Sequence, residues 1–172
     1  MLDGPDTPGH DGDDGARAMK ISIVAVGRLP RSPELDLVTL YVDRATAAGR
    51  SLALGPVEVV EVEARKPGKA AEAEVLRPQL AGAYVIACDE RGQARASRTF
   101  AGELGRLRDD GHRRLAFLIG GADGLDPALV AEAHGKLAFG PQTWPHALAR
   151  AMLAEQIYRA VTILAGGPYH RD

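Results

Sequence analysis

Residues 115–127 read Leu-Ala-Phe-Leu-Ile-Gly-Gly-Ala-Asp-Gly-Leu-Asp-Pro. Leu115 to Ile119 is an apolar run without polar alternation, the pattern of a strand covered on both faces. Gly120 to Leu125 is a glycine-rich loop. Asp126 then supplies a helix N-cap and Pro127 the first helical position, the favoured arrangement at a helix start. Strand, glycine loop and capped helix follow in direct succession, which is one β-to-α step of an α/β protein.

The same alternation extends in both directions. Upstream, Lys20 to Val26 predicts a buried strand ending at Gly27. Glu34 to Ala48 predicts a helix with Leu37, Leu40, Tyr41 and Ala45 on its apolar face, closed by Gly49. Val57 to Glu63 alternates nearly perfectly, as a strand with one face toward water does. A basic turn, Lys66-Pro67-Gly68-Lys69, leads into a helix over 70–81 that Pro78 must kink or shorten. Tyr84 to Cys88 is a third strand, followed by a turn at Asp89 to Gly92. Ser97 is placed to cap a helix reaching Asp109, with Phe100, Leu104 and Leu107 on one face. Downstream, Leu137 to Phe139 predicts a short strand. Pro145 opens a last helix to Leu164 with a stripe of Ala149, Leu153, Ile157, Val161 and Leu164, stopped by Gly166-Gly167-Pro168. Strands joined through helices imply a mostly parallel sheet with helices on both faces. Such sheets bind ligands in the loops beyond the strand C-termini.

Composition agrees with a globular chain. Of 172 residues, 45% are apolar and 26% charged, near the globular average. No apolar run approaches the ~18 residues of a membrane-spanning helix. The single cysteine, Cys88, excludes an intrachain disulfide and a Cys-rich zinc site. The five histidines show no metal-ligand spacing with Cys or carboxylates. A metal-free, cytoplasmic protein is the expectation. Residues 1–18 are rich in Gly, Pro and Asp and too acidic for a secretory signal; they read as a disordered, dispensable extension, with one domain over 19–172. Net charge is −2. The extension holds five of the 23 acids and one of the 21 bases, which leaves a body of 20 bases against 18 acids, at +2. That permits an RNA partner without calling for one.

Three loops should meet at the ligand-binding edge: Cys88-Asp89, Gly120 to Gly124, and Gly140-Pro141-Gln142-Thr143-Trp144-Pro145-His146. Glycines let backbone approach a ligand closely. The pattern is neither a dinucleotide fingerprint nor a phosphate-binding P-loop, and Gly120-Gly121 also reads as a plain turn before a capped helix. His146 stands at a helix start, as a proton carrier or as a surface or capping residue. Arg150, one turn on, is an anion ligand or part of a solvated face. Tyr169-His170-Arg171 follow Gly-Gly-Pro at the chain end. They suit RNA, with a ring to stack on a base, a proton carrier and a phosphate clamp, or they seal the last helix. Cys88 reads as a small core residue rather than a nucleophile. Asp89 either caps a turn or receives hydrogen bonds from a ribose.

Four segments together resemble one family. KISIVAVGRLP (20–30), FLIGGADGLDP (117–127), TWPHALARAMLAEQIYRA (143–160) and the terminal PYHRD (168–172) are similar to the ribosomal RNA large subunit methyltransferase H family, of the SPOUT class of knotted methyltransferases. The resemblance covers Met19 to Asp172. It implies an α/β fold with a C-terminal trefoil knot that forms an S-adenosylmethionine site. It also implies a homodimer that methylates N3 of a pseudouridine in helix 69 of 23S rRNA, within the assembled 70S ribosome. By position, the implied cofactor contacts are Cys88, Asp89, Gly121 and Gly140, Pro141, Gln142, Thr143, Trp144 and Pro145. The family often has Leu where this chain has Cys88, and a Ser-rich, apolar stretch where it has Gly-Pro-Gln-Thr-Trp. His146, His170 and Arg171 become the catalytic candidates, and Arg150, Tyr169 and Arg171 the substrate-binding ones. Two other readings carry their own marks. A non-catalytic, ribosome-associated RNA binder would use the Arg65-Lys66-Lys69 turn and the tail, and would not hold S-adenosylmethionine. A small-molecule α/β enzyme would be active without ribosomes.

Overall fold

The computed structural model describes residues 18–172; apart from Ala18, the extension expected at 1–18 lies outside them. Five strands, β1 (Met19–Val26), β2 (Leu54–Val62), β3 (Tyr84–Ala94), β4 (Arg114–Ile119) and β5 (Gly135–Ala138), form one sheet in the order β2-β1-β4-β3-β5. Every neighbouring pair is parallel. The helices are α1 (Pro33–Gly49), α2 (Lys69–Leu76), α3 (Ser97–Asp109), α4 (Pro127–Glu132) and α5 (His146–Leu164).

The alternation of strand side chains sorts the core into two layers. Ile21 and Ile23 of β1 and Leu115 and Phe117 of β4 face Phe100 and Leu104 of α3 and Leu153, Ile157 and Val161 of α5. The intervening Val24, Ala116 and Leu118 face Ala73 and Leu76 of α2 and Leu129 and Val130 of α4. β1 and β4 are central, which is why both read as near-continuous apolar runs. β2 is an edge, which is why it alternates.

Local chemistry sets the helix ends. Ser32 caps α1 by accepting from the Leu35 amide at 3.2 Å, and Asp126 caps α4 by accepting from Ala128 at 2.8 Å. α2 ends at Leu76, and a single 3₁₀ turn carries Pro78. Ser97 departs from expectation. The cap position is Ala96, and the Ser97 hydroxyl donates to Gln156 Oε1 on α5 at 2.8 Å; a tertiary bond takes the oxygen that would have capped the helix. The apolar face of α1 is also displaced. Val38 and Ala45 are buried, whereas Leu37 and Leu40 are about 40% exposed. Apolar residues cover more of the α1 surface than one buried stripe accounts for. In α5, Leu153, Ile157 and Val161 are buried as expected, but Ala149 and Leu164 are half-exposed.

β3 runs past the expected turn without abolishing it. Cys88 and Gln93 both pair with Leu137 of β5, so residues 89–92 loop out between them. Gly92 is required there, because a Cβ would stand 2.8 Å from the Leu137 amide nitrogen and the Lys136 carbonyl carbon.

Candidate functional site

The C-terminal ends of β4, β3 and β5 are neighbours, so the loops that follow them converge. They line one cleft of about 930 Å³, with Cys88 to Arg91 on one wall, Gly120 to Leu125 on another, and Gly140 and Gln142 to His146 on a third. Pro141 alone of the expected cofactor positions is absent from the lining.

Each wall is fixed by a specific contact. In the glycine loop, the Gly124 amide donates to Gly121 O at 3.0 Å, with Gly124 at φ +81°. Gly120 has no room for a side chain: a Cβ would lie 2.5 Å from the Gly124 carbonyl carbon and 2.8 Å from Leu125 N. At Gly121 a Cβ would meet only the Glu72 carboxylate, at 3.1 Å. Sequence reading singled out Gly121, and the tighter constraint is on its neighbour. In the third loop, Trp144 Nε1 donates to Phe139 O at 3.0 Å, and Thr143 Oγ1 donates to Glu90 Oε2 at 3.2 Å. Trp144 thus closes its own loop, and Thr143 ties it to the loop of β3.

Asp89 forms a turn. Its Oδ1 accepts from the Arg91 amide at 2.9 Å and from Arg91 Nε at 3.0 Å. The Arg91 guanidinium holds the Asp89 carboxyl below the usual carboxylate range. Burial pushes the Cys88 thiol up to about 12, so it offers no thiolate nucleophile at neutral pH.

Arg150, expected among the substrate ligands, does not line the cleft. Its side chain is 1% exposed and pairs with Glu61 Oε2 of β2 at 2.8 Å. Its Nη2 also donates to Gly27 O at 3.1 Å. A guanidinium buried this deeply serves the loop after β1; its place one turn after His146 made it resemble a cleft residue.

The tail is docked rather than free. Of the two readings of the trio, RNA contact or a seal on the last helix, Tyr169 and His170 follow the second: both are half-buried against α5. The Tyr169 hydroxyl donates to Glu155 Oε1 at 3.0 Å. Its ring lies 4.7 Å from Tyr158 and under the Arg159 guanidinium, also at 4.7 Å. Burial, with hydrogen bonds to Tyr41 and Glu155, pushes the Tyr169 phenol up. Arg159 donates to His170 Nδ1 at 3.1 Å, and His170 Nε2 stands 3.2 Å from Asp172 Oδ1. Because an arginine can only donate, Nδ1 is the acceptor and the neutral ring carries its proton on Nε2. Of the trio only Arg171 is exposed. The two candidate histidines therefore differ: His146 lines the cleft, and His170 does not.

The sequence places Gly120 in the right loop without marking it as the tighter position, and it misses two contributors: Glu90 as the partner of Thr143, and Lys69, which lines the cleft from the start of α2. The basic turn before α2 marked Lys69, but only the strand order brings it to this edge.

A family model described as predicted SPOUT methyltransferase matches residues 19–170. The ribosomal RNA large subunit methyltransferase H of Phenylobacterium zucineum (strain HLK1) is 80% identical over 154 residues, which cover 90% of this chain and 100% of that protein. The protein of the same name from Caulobacter sp. (strain K31) is 74% identical over 154 residues, with the same coverage of 90% and 100%. A probable methylase family protein of known structure from Haemophilus influenzae Rd KW20 superposes with a TM-score of 0.53 at 13% identity, covering 90% of this chain and 71% of that one. That last likeness concerns the fold alone. The parallel sheet, the cleft beyond its strand ends and these relatives agree: the chain belongs to the SPOUT methyltransferase family.

Proposed function

We propose that the protein methylates ribosomal RNA, with S-adenosylmethionine as methyl donor. The target is N3 of a pseudouridine in helix 69 of 23S rRNA, in assembled cytoplasmic ribosomes, and the active form is a homodimer. The observation that carries the reading is the convergence of three loops on one cleft in a chain of this family. Its relatives' names support the RNA substrate.

The cleft fits such a cofactor on its own geometry. Its volume lies within the usual range for small-molecule sites, about 300–1,000 Å³. One of its walls is a glycine loop whose backbone closes on itself, with no room for a Cβ between Gly120 and Gly124. Gly120 to Gly124, Gly140 and the Asp89 turn would hold the donor. When bound, S-adenosylmethionine supplies an electrophilic methyl group on a sulfonium whose charge disappears on transfer. The chain's own task is then alignment and proton removal. The imide N3 must lose its proton to become a competent nucleophile. His146, exposed on the cleft wall, is the imidazole placed to take it. His170 has its acceptor nitrogen committed to Arg159. Arg171, free at the surface, suits a phosphate.

The homodimer has support of its own. A second groove, of about 490 Å³, is lined by Leu37, Tyr41, Leu148 and Met152, and shares Leu137 to Gly140 with the cleft. A second copy covering this groove and the exposed Leu37 and Leu40 would stand beside the cleft. Sedimentation should show a dimer at assay concentration; a fully active monomer would exclude it.

The deciding experiment is calorimetry with S-adenosylmethionine, then methyl transfer to 70S ribosomes from cells lacking the modification. Binding with transfer to one pseudouridine is the expected result. A protein that binds ribosomes but not the donor is a non-catalytic RNA binder, and the proposal fails.

A further inference from the structure

The strand order divides the C-terminal edge of the sheet into two halves. The glycine loops follow β4, β3 and β5. The other half carries the loops after β1 and β2, residues 27–32 and 63–68. The Gly27 amide donates to Val62 O at 2.8 Å, so these loops leave the sheet side by side. Together with Lys69, which opens α2, they hold Arg28, Arg31, Arg65 and Lys66, against a single acid, Glu63.

All five bases are exposed. None has an ion-pair partner among the described residues, whereas on other faces Lys20, Arg77 and Arg98 stand 2.9, 3.1 and 2.7 Å from carboxylates. Near-neutral overall, the chain concentrates unpaired positive charge here. The ground beneath is rigid. Leu29, between Arg28 and Arg31 in the loop, is buried, and its amide donates to Glu61 Oε2 at 2.7 Å. The buried Arg150 holds that same oxygen and Gly27 O. Lys69 belongs to both halves, because it also lines the cleft.

We propose that this shelf grips the RNA backbone beside the target nucleotide, through phosphates, and that the Arg150–Glu61 pair positions it. The inference rests on the RNA methyltransferase reading. Phosphate contacts carry no sequence information but fix register on the substrate. A rigid basic shelf continuous with the methyl-transfer cleft is placed to do that.

The test compares Arg28→Ala/Arg31→Ala and Arg65→Ala/Lys66→Ala with a control pair, Arg106→Ala/Arg113→Ala. The control removes the same charge from exposed positions away from the shelf. Binding to 70S ribosomes and to a protein-free 23S rRNA transcript is measured across a salt series, with melting temperature as the folding check. Each neutralised phosphate contributes about 0.7–0.9 to the slope of log K against log salt, so each shelf pair should flatten that slope by about 1.5. The control should leave it unchanged. Unaltered slopes in both shelf pairs, or flattening no greater than that of the control, would overturn the proposal. So would weaker binding to ribosomes with unchanged binding to the transcript, because the shelf would then meet a ribosomal protein. Methyl transfer by the wild-type protein is followed in parallel. Shelf-dependent RNA binding without transfer would leave the shelf standing and sink the methyltransferase reading instead.

Discussion

Around Gly120 the wall of the cleft is backbone, and around Glu155 the wall of the tail dock is side chain. In the first region the decisive contacts run from glycine to glycine, and a Cβ at Gly120 would overlap Gly124 and Leu125. In the second, one carboxylate oxygen of Glu155 accepts from Tyr169 and from Arg159, and Arg159 in turn holds His170. Both regions are anchored on α5, whose first residue lines the cleft and whose third and fourth turns receive the tail. The difference separates two kinds of vulnerability. A backbone wall is indifferent to side-chain chemistry and intolerant of bulk. A side-chain network tolerates bulk at its edges and fails when one charged partner is removed.

The sharpest way to break that contrast is at the two adjacent glycines. Gly120→Val should abolish S-adenosylmethionine binding in calorimetry and cost about 1–3 kcal/mol of stability, as overpacking does. Gly121→Ala should keep the fold, because its Cβ meets only the movable end of Glu72. Equal effects at both positions would mean that the two glycines are not packed differently and that the loop does not close on itself at Gly120.

A second comparison sets the two histidines against each other. His146→Ala should lower the single-turnover rate at saturating ribosome by roughly 10²–10⁴-fold, the usual yield of a positioned proton acceptor. His170→Ala should lower it less than tenfold and should instead loosen the tail, because its ring nitrogens are engaged by Arg159 and Asp172. The reverse ranking would move the proton to the tail.

Much of the first region was legible in the sequence, and little of the second. Glycine, proline and aspartate act locally: Asp126-Pro127 announces α4, and Gly120 to Gly124 announces a loop whose place beyond a strand end follows from parallel-sheet logic. The tail network is tertiary. Glu155, Tyr158 and Arg159 lie on one helix segment, and nothing in their spacing says that Tyr169 and His170 fold back onto them. Arg150 shows the same limit from the other side. Its partners are Glu61 and the carbonyls of Val26 and Gly27, far away in the chain, so an arginine that stabilises a loop looked like one that awaits an anion. Leu37 and Leu40 read as core because helical spacing records apolar faces without saying which one the sheet covers.

Glu155→Gln probes the network with a smaller change. The amide keeps an acceptor for the Tyr169 hydroxyl but loses the charge that pairs with Arg159, whose distance to Glu155 Oε1 is 2.5 Å. A destabilisation of about 1–2 kcal/mol is expected for one charge-assisted hydrogen bond that is partly exposed. Residues 169–172 should become more susceptible to carboxypeptidase, with S-adenosylmethionine affinity unchanged. A fall in cofactor affinity without release of the tail would couple the two regions and end the contrast drawn between them.

The smallest effect is expected from acid. One carboxylate in each region is held below its ordinary range by an arginine: Asp89 by Arg91 in the cleft, and Asp172 by Arg98 in the tail. A carboxyl depressed in the folded state adds stability that is fully present above its unfolded value, about 3.9 for Asp. That stability is lost as pH falls below this value and through the lower folded one. Both pairs should therefore contribute equally at pH 5 and at pH 7, and weaken only below about pH 4. The Asp89 side chain is 10% exposed and that of Asp172 70%, so solvent and salt screen the tail pair far more. Asp89→Asn should flatten the acid limb of a melting-temperature profile measurably, and Asp172→Asn hardly at all. If Asp172→Asn had the larger effect, the tail would be the more tightly held of the two regions, and the turn at Asp89 would be a mobile rim rather than a fixed wall of the cleft.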